Sequence, residues 1–324
     1  MSTLRSASYA LGALAFAGIC AVCAVGGVKS ALAAGPRLLY VSDPTVSNIA
    51  VFSLPDLVIK GTITGLNQPD GLCSDDGGNV WVTNFGTQQI LEYAHGGTSP
   101  IVTLTDPSGF PFACDVEHHR HGHHDLAVAN LHNAPSGPGE TEKYPDSTGP
   151  PLPSYDLAAM YTVRGEGYDP HGNLFIDGQT HTGAFVLAEL TAGSTAVHQL
   201  TFTGGTIHLP GLLQWYADGN YLAIGDRRCD APRTTCVYHV KISGSTGTIT
   251  GKTKFKAYNG HVICDMAQGV IGASGEKFLA GGDDESACGY ATSSVNRWAY
   301  PAGGLPTNSN HSTLTHPFGT AISP

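Results

Sequence analysis

The stretch "QPDGLCSDDGGNVWVTN" (68–84) decides the fold. A Pro-x-Gly step opens a short apolar run, an Asp/Gly/Asn reversal follows, and a second apolar run, Val80–Thr83, ends on Asn84. Glycine and asparagine supply the backbone conformations of a tight turn, while β-branched and aromatic residues suit a pleated strand. The segment therefore predicts two antiparallel strands joined by a hairpin.

Its second half recurs along the chain. "LLYVSD" (38–43), "DLAVAN" (125–130), "NLFIDG" (173–178), "YLAIGD" (221–226) and "KFLAGGD" (277–283) are all short apolar runs closing on Asp, Asn or Gly. Each leads through a loop into a further strand, as in "AFVLAEL", "CVYHVKI" and "SVNRWAY". The closing residues Asp43, Asn84, Asn130, Gly178, Asp226 and Asp283 are spaced 41, 46, 48, 48 and 57 residues apart. A strand-only repeat of about 40–50 residues predicts a propeller with four strands per blade. Six closing residues predict six blades.

The first half recurs as well, in "LPGLLQWYADGN" (209–220) and "YDPHGN" (168–173). The chain ends on "HPFGTAISP" (316–324), a first strand with nothing after it, whereas the repeat at Leu38 lacks a first strand. The C-terminal strand is thus predicted to complete blade one and close the ring, leaving no open sheet edge between the ends. The expected fold is all-β: a six-bladed β-propeller of four-stranded antiparallel blades.

Composition agrees with a turn-rich β chain: 42 glycines, 20 prolines and 13 tyrosines in 324 residues, with only 13% charged. Residues 1–33 read as a signal peptide: Arg5, a run of small apolar residues, and the small-x-small pattern Ala31-Leu32-Ala33. The competing reading of that run is an uncleaved anchor; after cleavage no membrane span is expected. Cys20 and Cys23 follow Ile19 and Val22, where a lipoprotein signal carries a small residue. Residues 34–324 then form a single propeller domain. Removing Arg5 and Lys29 takes the basic count from 16 to 14 against 26 acids, a net charge of −12. Such a surface repels phosphate backbones, so nucleic acid is excluded as a partner. The expected location is secreted, periplasmic or cell envelope, and the expected state is a monomer.

Six cysteines remain beyond residue 33. An even number in an exported chain favours disulfides, with buried thiols as the alternative. Cys229 and Cys236 flank the second-to-third loop of blade five. Cys264 and Cys288 fall on one face of blade six, and Cys73 and Cys114 on first strands of adjacent blades.

The Pro-x-Gly strand, the Asp-Gly-Asn turn and the Val-Trp-Val-Thr-Asn strand resemble NHL-type propeller repeats. The region 37–324 resembles the exported NHL/gluconolactonase-like six-bladed propellers of bacteria, many without assigned activity. "GEGYDPHGNLFID" (165–177) resembles the Glu-Gly opening of lactonases in the senescence-marker/gluconolactonase family, where the glutamate is a metal ligand. The resemblance implies a metal role for Glu166, although here the motif opens blade four and in that family blade one.

In such a fold, second-to-third loops and blade-to-blade connections share the face where ligands sit. Asp43, Asn84, Asn130, Asp226 and Asp283, with Asp177 beside Gly178, form a ring there. Their oxygens suit calcium or magnesium; the alternative is that they hydrogen-bond loop backbone. Recurrence in nearly every blade favours the second role.

"EHHRHGHHD" (117–125) contains H-x-H-x-D, but Leu126 stands where a metallo-hydrolase signature continues with histidine. Alignment of "CDVEHHRHGHHDLAVAN" with "CSDDGGNVWVTN" places the histidines in a first-to-second-strand turn on the opposite face. His119, His121 and His123 are read as a polar turn, with adventitious zinc, nickel or copper binding as the further possibility. The Pro/Gly/Ser-rich stretch 133–154 is expected to begin as a long loop of blade three.

No G-x-S-x-G, H-E-x-x-H or phosphate-binding glycine loop occurs. The expected function is a binding or scaffold propeller for a protein or carbohydrate ligand. The alternative is a metal-dependent lactonase, hydrolase or lyase-like enzyme of the gluconolactonase type, with Glu166, Asn130 and Asp226 at the channel mouth.

Overall fold

The apolar runs ending on the closing residues are buried at every position: Leu38–Asp43, Val80–Asn84, Leu126–Asn130 and Phe278–Asp283. Successive side chains of a strand point to opposite faces, so a strand buried throughout must be covered on both. Val80 and Val82 pack with Leu38 and Tyr40 of one neighbouring blade. Trp81, between them, packs with Cys114 and Val128 of the other. The runs lack polar alternation because each blade is sandwiched between two others.

The computed structural model describes residues 35–107, 109–118, 124–132, 137–230, 234–290, 293–311 and 314–324. The expected signal peptide and His119, His121 and His123 lie outside these residues. Blade one contains β1 (Leu38–Asp43), β2 (Asn48–Ser53) and β3 (Ile59–Ile63). Blade two is β4 (Pro69–Ser74), β5 (Val80–Asn84), β6 (Gln89–Tyr93) and β7 (Pro100–Thr105). Blade three has β8 (Pro111–Val116), β9 (Leu126–Asn130) and β10 (Glu140–Tyr144). Blade four is β11 (Thr162–Tyr168), β12 (Leu174–Gln179), β13 (Phe185–Leu190) and β14 (Val197–Gln199), and β15 (Thr201–Thr203) follows. Blade five is β16 (Pro210–Tyr216), β17 (Tyr221–Asp226), β18 (Cys236–Ser243) and β19 (Thr246–Lys254). Blade six is β20 (Gly269–Ile271), β21 (Phe278–Asp283), β22 (Ser294–Ala299) and β23 (Pro306–Asn310), and β24 (Thr320–Ser323) ends the chain.

The sheet of blade one runs β24-β1-β2-β3, with Leu38 opposite Ser323 and Val41 opposite Thr320. The last strand is therefore the inner strand of the first blade, and the protein is an all-β six-bladed propeller. Six apolar clusters bind the ring, each spanning one pair of adjacent blades; the cluster between blades six and one joins Phe278, Ala280 and Val295 to Leu39, Val41 and Ile322.

Two blades depart from four equal strands. In blade three the fourth position is held by one bridge, Thr141 to Tyr155, plus the bond from Leu152 N to Lys143 O. Pro145, Pro150, Pro151 and Pro153 crowd that segment and remove the donors a longer ladder needs. On blade five, β15 adds in parallel to the outer strand β19, covering an edge that would otherwise be open.

The inner strands of blades two to five share an irregularity near their start. Register shifts fall between Pro69 and Leu72, Pro111 and Ala113, Val163 and Gly165, and Pro210 and Leu213. Such bulges free one or two residues from the ladder and re-aim them.

Candidate functional site at the channel mouth

The closing residues have a common structural task. Asn84 Oδ1 accepts from Asn67 N at 2.8 Å, and Asn130 Oδ1 from Phe110 N at 3.2 Å. Asp226 accepts from His208 N and Leu209 N, both at 3.0 Å. Asp283 accepts from Cys264 N at 2.8 Å and Asp265 N at 3.2 Å, while Asp43 accepts from Thr315 N and His316 N. Each closing side chain thus ties the chain entering a blade to the second strand of that blade. Asp226 also takes Arg228 N at 2.9 Å within its own loop. The bonds to the incoming connection reach across the blade, further than the turn-local role expected from sequence. Replacing Asp226 with alanine strands three backbone donors at a wholly buried position. We expect Asp226→Ala to cost about 3 kcal/mol, read as a lower denaturant midpoint, with Asp226→Asn intermediate.

Blade four breaks the pattern. A Cβ on Gly178 would lie 1.9 Å from Thr162 O, so only glycine fits there. Its neighbour Asp177 is buried, with neither oxygen meeting a donor. Burial pushes its carboxyl well above the usual range, against the pull of Arg164.

The groups that surround the channel mouth come from the middle residue of each Pro-x-Gly step or its equivalent: Asp70, Phe112, Arg164, Gly211, Gln268 and Phe318. The rings of Phe112 and Phe318 meet edge to face at 5.1 Å, although their blades are not neighbours. Arg227 lies over Phe318 at 5.9 Å, and its stem occupies the space that the missing side chain of Gly211 leaves. Gln268 Nε2 approaches within 3.2 Å of a Cβ built on Gly71, spanning from blade six toward blade two. These contacts cross the axis. Asp70 holds the same position on blade two, where burial pushes its carboxyl up to about 7. The mouth therefore offers an aromatic floor, a carboxyl ionising near neutrality, an amide and guanidinium groups. The repeat marks the position but not the residue type, since the middle of the Pro-x-Gly step varies from blade to blade.

Beneath the mouth lies a cavity of about 90 Å³ lined by the inner strands of all six blades, Glu166 among them. It has room for about three waters, well below the several hundred Å³ of a typical ligand pocket. A ligand of sugar or peptide size does not fit inside this cavity.

Glu166 is the fifth residue of β11, well past the strand's start. It is buried, and neither oxygen meets a donor in good geometry. Burial is the main cause that pushes its carboxyl well above the carboxylate range, with Asp115 and Glu142 adding to it. Asp115 itself is pushed up to about 6 by burial.

A calcium or magnesium centre needs six or more oxygens, several of them ionised. Asn130 and Asp226 are occupied by the backbone bonds given above, and Glu166 sits apart from them on the cavity wall. Among the described residues no three His, Cys, Asp or Glu side chains are arranged to hold a metal ion. Glu166, named from the lactonase resemblance, and Asn130 and Asp226, named from the ring of closing residues, are not arranged as such a centre among the described residues.

Ser286, His316 and Asp284 meet on the mouth face, but Ser286 Oγ and Asp284 Oδ2 both engage His316 Nδ1, at 3.1 and 2.9 Å. A nucleophile relay needs serine and carboxylate on opposite ring nitrogens, so this trio is not one. On the opposite face, Glu117 N bonds Asp125 O at 2.9 Å, closing the base of the β8–β9 hairpin that carries the histidine tract. His118 there contacts Asp76 at 2.9 Å.

Three disulfides are present. Cys73–Cys114 joins β4 to β8, with Cα atoms 5.6 Å apart. Cys229–Cys236 staples the second-to-third loop of blade five, and Cys264–Cys288 ties the connection entering blade six to that blade's second-to-third loop. No helix among the described residues is long and apolar enough to cross a membrane.

The sequence profile of the NHL repeat matches residues 66–93, the connection into blade two and its first three strands. A comparison with curated proteins finds no match. Among solved structures, the chain is similar to one in the crystal structure of a nidogen/laminin complex, with TM-score 0.63 and 16% identity over 89% of this chain and 98% of that one. It is also similar to hydrazine synthase of Kuenenia stuttgartiensis, with TM-score 0.56 and 14% identity over 80% and 73% of the two chains. A protein of unknown function from Bacteroides caccae aligns with TM-score 0.59 and 11% identity over 89% and 99%. At such identities the likeness concerns the fold alone. With a ring of six blades closed by its last strand, the chain is a six-bladed β-propeller whose second blade matches the NHL repeat.

Proposed function

We propose that the protein is an exported binding propeller that presents its channel mouth to a protein or carbohydrate ligand outside the cytoplasm. One observation carries the reading: the starts of the inner strands bring chemically different groups, including Asp70, Phe112, Arg164, Gln268 and Phe318, to one mouth. A ring built for stability alone would repeat one residue at this level, as the closing residues nearly do. Three disulfides support export, because such bonds persist in oxidising compartments. The signal-peptide pattern of residues 1–33 supports it from the sequence.

The test immobilises residues 34–324 against a glycan array and against the exported fraction of the producing cell. Asp70→Asn combined with Arg164→Lys is expected to weaken retention at least tenfold. Asp76→Asn, on the opposite face, is expected to leave it unchanged. Retention indifferent to the mouth variant, or no retention from either source, overturns the reading. Chelator-sensitive turnover in a lactone and ester screen overturns it in favour of an enzyme.

A further inference from the structure

Three of the five described arginines gather on one side of the mouth, between blades four and five. Arg164 stands at the bulge of β11, and Arg227 and Arg228 directly follow β17. Short links hold the group together. Arg164 Nε donates to Gln179 Oε1 at 3.1 Å, and Gln179 Nε2 donates to His208 O at 3.0 Å. His208 N and Arg228 N both donate to Asp226.

The nearby carboxylates are already engaged. Asp265 takes Arg227 through two bonds, at 2.5 and 2.7 Å. Asp226 holds three backbone N–H groups and His208 Nδ1, the last at 3.2 Å. Asp230 contacts Lys252 and Lys254. Asp177 is sealed in the interior, where burial favours its neutral form. Among the described residues, Arg228 is therefore exposed with no carboxylate partner, and Arg164 has only an amide. Burial and the charges of Arg227 and Arg228 push the Arg164 guanidinium below its usual range.

Unneutralised cations packed side by side repel one another, and a chain of net charge −10 has carboxylates to pair with them elsewhere. Guanidinium groups present forks of N–H donors matched to oxyanions. We propose that Arg164 and Arg228, with His208 beside them, form a subsite for an oxyanion group of the ligand: the carboxylate of a sugar acid, a sulfate or a phosphate. The inference rests on the mouth being the ligand face. It narrows the ligand to one that carries at least one such group on its blade-four side.

The test follows the arginine Nε–Hε resonances of residues 34–324, assigned with Arg164→Lys and Arg228→Lys. Sodium glucuronate, sodium sulfate and potassium phosphate are titrated separately at ionic strength held constant with sodium chloride. Arg164 and Arg228 are expected to shift saturably with at least one of the three, and which one responds identifies the source. Arg37, paired with Glu276, and Arg297, over the Phe278 ring at 4.3 Å, are expected to stay in place. Arg228→Ala, at an exposed position, should weaken the response of Arg164 at least tenfold without unfolding the chain. Equal shifts at all arginines, or none at Arg164 and Arg228, overturn the subsite. That outcome differs from failure of the mouth as ligand face, which appears as retention insensitive to Asp70→Asn with Arg164→Lys.

Discussion

A chain shortened by residues 318–324 does not fold cooperatively. The deletion removes β24, and with it four paired positions along β1, from Leu38–Ser323 to Val41–Thr320. It uncovers the clusters on both sides of blade one, which Ala321 and Ile322 respectively complete. It also strands the main-chain bonds of Ser42, whose N donates to Gly319 O and whose O accepts from Phe318 N. Deleting Ile322 beyond Cβ alone is worth about 2–4 kcal/mol, and the ladder and Ala321 come on top. The sum reaches the whole net stability of a typical domain, about 5–15 kcal/mol. Near-ultraviolet circular dichroism and a thermal melt check this. A single sharp transition within a few degrees of the full chain would refute the closure argument. A circular permutant with residues 324 and 35 joined by a short linker, opened in the 44–47 turn, should keep the transition.

Replacing Cys73 and Cys114 together with alanine lowers stability by about 4 kcal/mol in the chain-entropy estimate for a 41-residue separation. The bond also clamps two adjacent inner strands beside the channel, where both cysteines belong to the cluster between blades two and three. For a chain of this length the loss corresponds to a drop of roughly 7 °C in the melting temperature. The same substitution at Cys229 and Cys236, seven residues apart, costs about 2 kcal/mol. Parallel melts of the two double variants check the order. An equal or reversed pair of shifts would mean that loop length does not govern their contribution.

The fold was legible because its determinants are local and repeated. The Pro-x-Gly entry, the hairpin reversal and the apolar run to Asn84 lie within 17 residues, and the truncated first repeat predicted the partner of β1. The stabilising role of the closing residues was legible from their recurrence. Their actual partners were not, because Asn84 and Asp226 reach connections 17 or 18 residues earlier in the chain. The third strand of blade three was hidden for another reason: "ETEKY" carries no apolar run, yet it forms β10. The mouth was least legible of all. Residues freed by a bulge escape the period-two pattern, and Phe112 and Phe318 meet only because a ring brings distant segments to one axis. The histidine tract drew attention through composition, but His119, His121 and His123 lie outside the described residues, and only the flanking bond of Glu117 to Asp125 is seen, on the face away from that mouth.

The bond from Gly319 N to Ser42 Oγ joins residues 277 positions apart. During synthesis at about 5–20 residues per second, the first blade waits roughly 14–55 s for its inner strand. Throughout that interval β1 has an unpaired edge and the ring has no final shape. Assembly of the whole disc is thus a release event, triggered when the last segment becomes available. A polypeptide that must pass through a narrow pore before folding would have its timer written into its own strand order.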